Sequence, residues 1–256
     1  MYIYDEYVRD FLKRIVKEYS LLNARVNSYS NTRGRDTVLE THIIPPEWFR
    51  LPSSEYAIAR GKEYMMECRL YNKKAHVFTS SPYIGAMNIS RILDLKLDSI
   101  LNRTIFYCTL NVVLRYLGLI DKTIHCRGDT PVKCAREMMR YIVEKYGGEK
   151  LLVIGYQPAI VREATRTYRR VYVTDMDPSN IGRRIGDVEI MDHTRNIELI
   201  SSVDIVLATG STVINSTLWP IYEAVNEAGN KLILYGVTGA GVSYVMGIER
   251  LCMYGE

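Results

Sequence analysis

The sequence has little that would mark a compartment or a reaction outright. Its 256 residues include one Gln, two Trp, four Phe and eight Pro. No apolar run reaches the ~20 residues that a membrane-spanning helix needs, so no membrane partner is expected. No sign of charge dominates: 33 basic against 29 acidic residues leave +4. That imbalance is too mild to point to nucleic acid, and no aromatic-plus-basic RNA-binding motif is present. The first residues, MYIYDEYVRDFLKRIVKEYS, are charged and amphipathic rather than a secretory leader, which sets the expectation of a cytoplasmic protein. Missing too are G-x-S-x-G, G-x-x-x-x-G-K-[ST] and H-E-x-x-H, which removes the simplest hydrolase, P-loop and zincin readings. Disorder is excluded by a composition that is 47% hydrophobic and 24% charged. Scarce Gln and abundant charge suit a thermophile, whereas ten Met and five Cys point the other way.

The chain changes character near residue 95. Val8, Phe11, Leu12, Ile15, Val16 and Tyr19 form the i, i+3, i+4 stripe of a helix packed on one face. Alternating segments over Asn23–Ile44 and Glu63–Thr79, with turn residues at Thr32-Arg33-Gly34 and Tyr71-Asn72-Lys73, predict antiparallel strands. Ile84–Leu95 reads as a helix. Residues 1–95 are therefore expected to form a small α+β domain.

Residues 96–256 predict a second domain with two leading helices. The first spans Leu101–Leu117. The second starts at Pro131 with Thr130 as N-cap and stops at Gly147-Gly148. Five apolar strands follow, at Leu151–Ile154, Arg170–Thr174, Asp187–Met191, Asp204–Ala208 and Lys231–Tyr235. Helical patterns at Ala159–Tyr168, Asn196–Ser201 and Leu218–Ala228 separate most of them. Continuous apolar strands alternating with helices predict a doubly wound, mainly parallel α/β sheet.

Ligands bind such sheets outside the carboxyl ends of their strands. Those ends carry Gly155-Tyr156-Gln157-Pro158, Asp175-Met176-Asp177-Pro178, the segment Thr209 to Thr217, and Gly236 to Gly241. Thr209, Gly210, Ser211, Thr212 and Asn215 offer backbone N–H groups and hydroxyls before a helix, the makings of an anion site. The same residue types also cap helices and form turns. Asp175 lies where a dinucleotide fold places its ribose-binding acid, yet the turn after Gly155 lacks the second glycine that lets a pyrophosphate approach. NAD is thereby disfavoured. Asp175 and Asp177 remain open to a ribose, an amine, a metal or simple capping. Gln157, the lone Gln, sits at a βα turn where it can contact a ligand.

His125, Cys126 and Cys134 form a second constellation in HCRGDTPVKC. One imidazole and two thiolates suit zinc or another borderline metal. Cys134 in the first turn of its helix is expected to have a lowered thiol pKa. Cys252 is a distant fourth candidate. The competing readings are buried free cysteines in a reducing compartment, or a Cys126–Cys134 disulfide.

HCRGDTPVKC, IGYQPAIV, VTDMDPSNIG, DIVLATGSTVINSTL and LYGVTGAGV together resemble the prokaryotic family named for "putative heavy-metal chelation". The resemblance is densest from Asn102 to Cys252. It implies an enolase N-terminal-like domain followed by a Rossmann-like domain, with the active site in the cleft between them. Carried over by position, that cleft takes Asn111 and His125 from the connecting region. Gly155, Gln157, Pro158, Asp175, Thr209, Gly210, Ser211, Asn215 and Thr238 come from the sheet loops. The family's usual Gly after that Asn is Ser216 here.

Three functions stay open on this basis. The first is binding, with or without turnover, of a small anionic or metal-chelating ligand, with His125 and Asp175 as catalytic candidates; His125 would act near neutral pH. The second is metal handling without turnover by His125, Cys126 and Cys134, with a transition metal as the cofactor or cargo. The third is a transferase using a nucleoside cofactor such as S-adenosylmethionine. A homodimer is the default assembly.

Overall fold

The computed structural model describes residues 2–22, 38–51, 53–61 and 63–256. The turn expected at Thr32-Arg33-Gly34, and the start of the strand expected from Asn23, lie outside these residues.

The amphipathic start folds as α1 (Ile3–Glu18), burying Val8, Leu12, Ile15 and Val16. An antiparallel sheet follows, built from β1 (Val38–Ile44), β2 (Tyr64–Leu70), β3 (Lys73–Thr79) and β4 (Gly85–Asn88), in the order β3-β2-β1-β4. The expected helix over Ile84–Leu95 is corrected here. Residues 85–88 pair as an edge strand with β1, with Leu39 opposite Met87, and only α2 (Ile89–Leu93) is helical. Pairing with a distant strand overrides the local pattern.

The helix α3 (Ile100–Tyr116) is capped by the Ser99 side chain, which accepts from the Asn102 N–H at 3.2 Å. It is buried almost all round because it lies between two layers. It packs on β2 and β3, and also on α7 (Ser211–Ile214) and α9 (Ala240–Met246). Then come α4 (Thr130–Tyr146), β5 (Lys150–Ile154), α5 (Pro158–Thr167), β6 (Arg170–Asp175), β7 (Arg184–Ile185) and β8 (Val188–Asp192). The chain continues with α6 (Asn196–Ile200), β9 (Ile205–Thr209), α8 (Leu218–Ala228), β10 (Lys231–Tyr235) and β11 (Glu249–Leu251).

The seven-stranded sheet runs β11-β10-β9-β5-β6-β8-β7, parallel throughout except for β7 against β8. Without β7 this is the Rossmann strand order, with its reversal between β5 and β9. All five strands expected from the sequence are present; β11 has no apolar run to announce it.

Alternate residues of each central strand serve opposite faces. Leu152, Ile154, Val206, Ala208 and Leu234 join the core shared with α1, α3 and the antiparallel sheet. Leu151, Val153, Val173, Leu207 and Ile233 pack beneath α4 and α5. Inside the shared core, the buried Asp5 carboxylate accepts from Arg103 Nη1 at 2.7 Å, from Trp219 Nε1 at 2.8 Å and from the Tyr107 hydroxyl. One buried anion thus ties α1, α3 and α8, and a full set of donors is what makes its burial tolerable.

The cysteines depart from expectation. Cys68 of β2 and Cys108 of α3 form a disulfide, whereas Cys126, Cys134 and Cys252 are free. The Cys126–Cys134 bond considered above is absent from this structure.

Candidate functional site

A cavity of about 460 Å³ opens at the carboxyl ends of β5 and β9, where the strand order reverses. The glycines at these ends are required by packing. Gly155 has φ +93°, and a Cβ there would lie 2.7 Å from Thr209 Cγ2; a Cβ on Gly210 would lie 2.5 Å from the Gly239 nitrogen. The turns after β5, β9 and β10 therefore pack on one another rather than leaving backbone bare for a pyrophosphate. The absence of the dinucleotide motif from the sequence fits this arrangement.

From the turn after β5, Gly155, Gln157 and Pro158 line the cavity. Gln157 is the N-cap of α5: its Oε1 accepts from the Ile160 N–H at 2.6 Å, and Pro158 follows at the first helical position. From the turn after β6, Asp175 and Asp177 also line it. Asp175 Oδ2 accepts from the Tyr156 N–H at 2.6 Å, while Oδ1 accepts from the Asp177 N–H at 2.7 Å and Asn180 Nδ2 at 3.1 Å. Its carboxylate is thus engaged in holding two turns together. Asp177 Oδ1 accepts from the Ser179 N–H at 2.9 Å, and Oδ2 lies 3.5 Å from Arg60 Nη2.

Thr209, Gly210, Ser211, Thr212 and Asn215 face the cavity from the turn after β9. Their hydroxyls are largely used locally. Thr209 Oγ1 accepts from the Ser211 N–H at 3.3 Å, and Thr212 Oγ1 donates to the Thr209 carbonyl at 2.8 Å. Ser216 has φ +61°, the left-handed region that favours the family's glycine.

Thr238 lines the cavity and joins the two layers, its Oγ1 accepting from the Phe78 N–H at 3.0 Å. Asn111 is corrected: it is 1% exposed and does not line the cavity. Its Nδ2 donates to the Thr238 carbonyl at 2.9 Å and its Oδ1 accepts from the Gly241 N–H at 2.7 Å. It positions the turn after β10 from α3 and is itself out of reach.

His125, Cys126 and Cys134 line the same cavity, joined by Cys252. The His125 ring stands edge-on to Phe49 and Phe78, at 5.5 and 5.4 Å between centroids. Burial pushes its pKa down to about 4. The neutral ring is thus the form present at pH 7, which corrects the expectation of a group that titrates near neutrality. With Nδ1 donating to the Cys126 carbonyl at 2.6 Å, Nε2 keeps its lone pair. The backbone of His125 is fixed by a relay: its N–H donates to His76 Nδ1 at 3.2 Å, and His76 Nε2 donates to Glu67 Oε2 at 3.0 Å.

Burial also pushes the Cys126 thiol up to about 12 and raises those of Cys134 and Cys252. The lowered thiol pKa expected at Cys134 is overturned: Cys134 is the fifth residue of α4, and desolvation outweighs the backbone hydrogen bonds from Met253 and Tyr254. Neutral imidazole and sulfur suit a soft metal in kind. In arrangement they do not: among the described residues no group of three or more His, Cys, Asp or Glu side chains is placed to hold a metal ion.

Several lining residues escaped the sequence reading, among them Tyr56, Ser80, Asn180 and Tyr235, and the most consequential is a carboxylate. Glu63, just before β2, enters the cavity from the antiparallel layer. Burial, then the nearby Asp175 and Asp177, push its carboxyl up to about 7. Its sequence context, Arg60-Gly61-Lys62-Glu63, gives no sign of this, since the effect arises only when the two layers meet. Glu55 pairs with Arg162 of α5 and lies 3.4 Å from Arg183 Nη2, which joins the antiparallel layer's loop to the parallel sheet's layer.

No helix among the described residues is long and apolar enough to cross a membrane. Residues 138–246 match the model of the DUF364 family, described as "Putative heavy-metal chelation". No curated protein matches the chain. A DUF364 protein of unknown function from Pyrococcus horikoshii has a similar structure, with TM-score 0.54 and 16% identity over 91% of this chain and 78% of that one. Another, from Desulfitobacterium hafniense DCB-2, aligns with TM-score 0.48 and 14% identity over 72% of each chain. The chain is thus similar to the DUF364 family in sequence over residues 138–246 and, in the Pyrococcus protein, similar in fold over most of its length.

Proposed function

We propose that the protein binds a small organic molecule in the cavity between the antiparallel layer and the strand ends of the parallel sheet. The observation that carries this reading is the cavity itself: about 460 Å³, placed at the reversal of the strand order, and lined by the polar turns together with apolar residues such as Leu51, Ile58, Met138 and Ile160. A mostly apolar cleft with a few fixed polar groups is the usual form of a small-ligand site. The lining charges bear on the ligand. Glu63, Asp175 and Asp177 line the cavity, and no Lys or Arg does among the described residues. An anionic head is therefore a poor match, while a neutral or chelating ligand fits. The nucleoside reading is weakened because Asp175 already takes three donors and has little capacity left for a ribose diol.

Filling the cavity tests the reading. Ser211→Trp places an indole on its wall without disturbing a buried core residue. Loss of any co-purified or added ligand in this variant, at unchanged melting temperature, is expected. Undiminished binding overturns the placement.

A second reading is favoured by one observation, that the free thiols Cys126, Cys134 and Cys252 line the same cavity as His125. A soft metal ion would then be cargo, captured after the thiols reorient and lose protons. Because burial holds these thiols protonated, capture strengthens as pH rises and releases protons. Cys126→Ser/Cys134→Ser is expected to abolish stoichiometric Cd²⁺ uptake; full uptake by that variant removes the reading.

A further inference from the structure

We propose that the cavity's polar end receives an ammonium or amine head, with Glu63 as its ionic partner and the Tyr156 hydroxyl as a hydrogen-bond acceptor. The inference rests on the reading that this cavity binds a small organic molecule, and it adds the class of that molecule.

Three separate observations point the same way. First, the charged residues that line the cavity are acidic, Glu63, Asp175 and Asp177, and the nearest cations stand behind them, Arg60 beside Asp177 and Arg183 over the Tyr156 ring. Second, those carboxylates are not equivalent. Asp175 is engaged by three N–H donors, and Asp177 by Ser179 and Arg60. Glu63 has no hydrogen bond or close ion pair among the described residues, and the one cation that acts on it, Arg60, does so through space. It is the carboxylate left to meet a ligand. Third, Tyr156 lines the cavity, is only 7% exposed, and its hydroxyl is buried without a hydrogen-bond partner. Buried polar atoms in native proteins are nearly always satisfied, so an orphan hydroxyl beside a cavity points to a missing hydrogen-bond partner, and its oxygen can accept from an N–H. An ammonium supplies both needs: a positive charge for Glu63 and an N–H for the phenol oxygen. Tyr56 and Phe78, which also line the cavity, offer ring surface to such a cation.

The groups that face Glu63 set the proton balance. Asp175 and Asp177 from the turn after β6 raise its pKa and Arg60 lowers it, while the buried, neutral Tyr235 of β10 lies close by. A bound ammonium favours the ionised carboxylate, so binding near pH 6.5 must release a proton.

The test is calorimetric titration of the full chain with hexylamine, hexanol and hexanoate at pH 6.5, in two buffers of different ionisation heat. Hexylamine is expected to bind about tenfold or more tighter than hexanol, with proton release, and hexanoate weakest of the three. Glu63→Gln is expected to erase the preference and the proton release while keeping the hexanol affinity, which also reports that the variant is folded. Equal affinity for hexylamine and hexanol, tighter hexanoate, or an amine preference that survives in Glu63→Gln overturns the inference and leaves the cavity reading standing. If none of the probes binds, or if all bind equally well to Ser211→Trp, the cavity reading falls and this inference falls with it.

Discussion

Glu63 and Asp175 show how differently two carboxyl groups behave in one cavity. Glu63 is raised to about 7 by burial and by its acidic neighbours. A carboxyl raised above its unfolded value of about 4.3 favours folding while protonated, and that contribution is lost as pH rises from there through 7. Glu63→Gln is therefore expected to be more stable than the parent at pH 8.5, by on the order of 1–3 kcal/mol, and equal to it near pH 4. Urea unfolding at both pH values checks this. Asp175, by contrast, is held by Tyr156, Asp177 and Asn180. Asp175→Asn sets an amide NH₂ against an N–H donor, and a loss of about 1–3 kcal/mol is expected by the same measurement. At Ser216 the backbone at φ +61° holds a side chain where glycine is easier. Ser216→Gly is expected to raise stability by ~0.5–1 kcal/mol. The sequence already marked Ser216 as a departure from the family pattern, and backbone geometry supplies the reason. It could not mark Glu63, because the groups that perturb it come from the turn after β6, more than a hundred residues along the chain.

At the scale of elements, the parallel strands were legible because burial on both faces writes continuous apolar runs such as Leu151–Ile154 and Ile205–Ala208. Edge elements were not. β4 reads locally as helix and β11 has only Glu249–Leu251, so both exist by pairing with a neighbour already in place. The turns between strands are set by close contact. Gly210→Ala would drive a methyl to within 2.5 Å of the Gly239 backbone nitrogen, and a loss of about 1–3 kcal/mol in thermal unfolding is expected. The disulfide joins β2 to α3 across a separation of 40 residues. Loop-closure entropy assigns such a bond about 4 kcal/mol. Reduction is expected to lower the urea midpoint accordingly, and a Cys68→Ala/Cys108→Ala variant should show no further response to reductant.

Across the whole molecule, α3 explains why the candidate site lies between layers. It is wrapped by the antiparallel sheet on one side and by α7 and α9 on the other, and a single core runs through both. The Thr238–Phe78 and Asn111–Thr238 hydrogen bonds then seat β3 against the turn after β10, so that His125 and Glu63 face the strand ends. Fourteen positions chosen from strand ends and from the HCRGDTPVKC segment line one cavity, yet their chemistry was only partly legible. Burial decided the protonation of His125 and of the thiols, and burial is a property of the assembled molecule. Acid should act on the molecule as a whole. Burial raises the carboxyls of Glu67 and Glu249, but hydrogen bonds from His76 and Arg69, and from Tyr146 and Lys145, prevail and hold each at about 2. Their contribution is fully present above the unfolded pKa and is lost as pH falls from about 4.5 to 2. His125, depressed to about 4, adds a loss between pH 6.5 and 4.

The central claim is that the cavity at the strand reversal is a small-ligand site. The most direct test is native mass spectrometry of the chain purified under non-denaturing conditions and incubated with a metabolite extract, beside its Ser211→Trp variant. The account predicts one small organic adduct on the parent chain and none on the folded variant. The same adduct on both proteins, or bare chains in both, would contradict it.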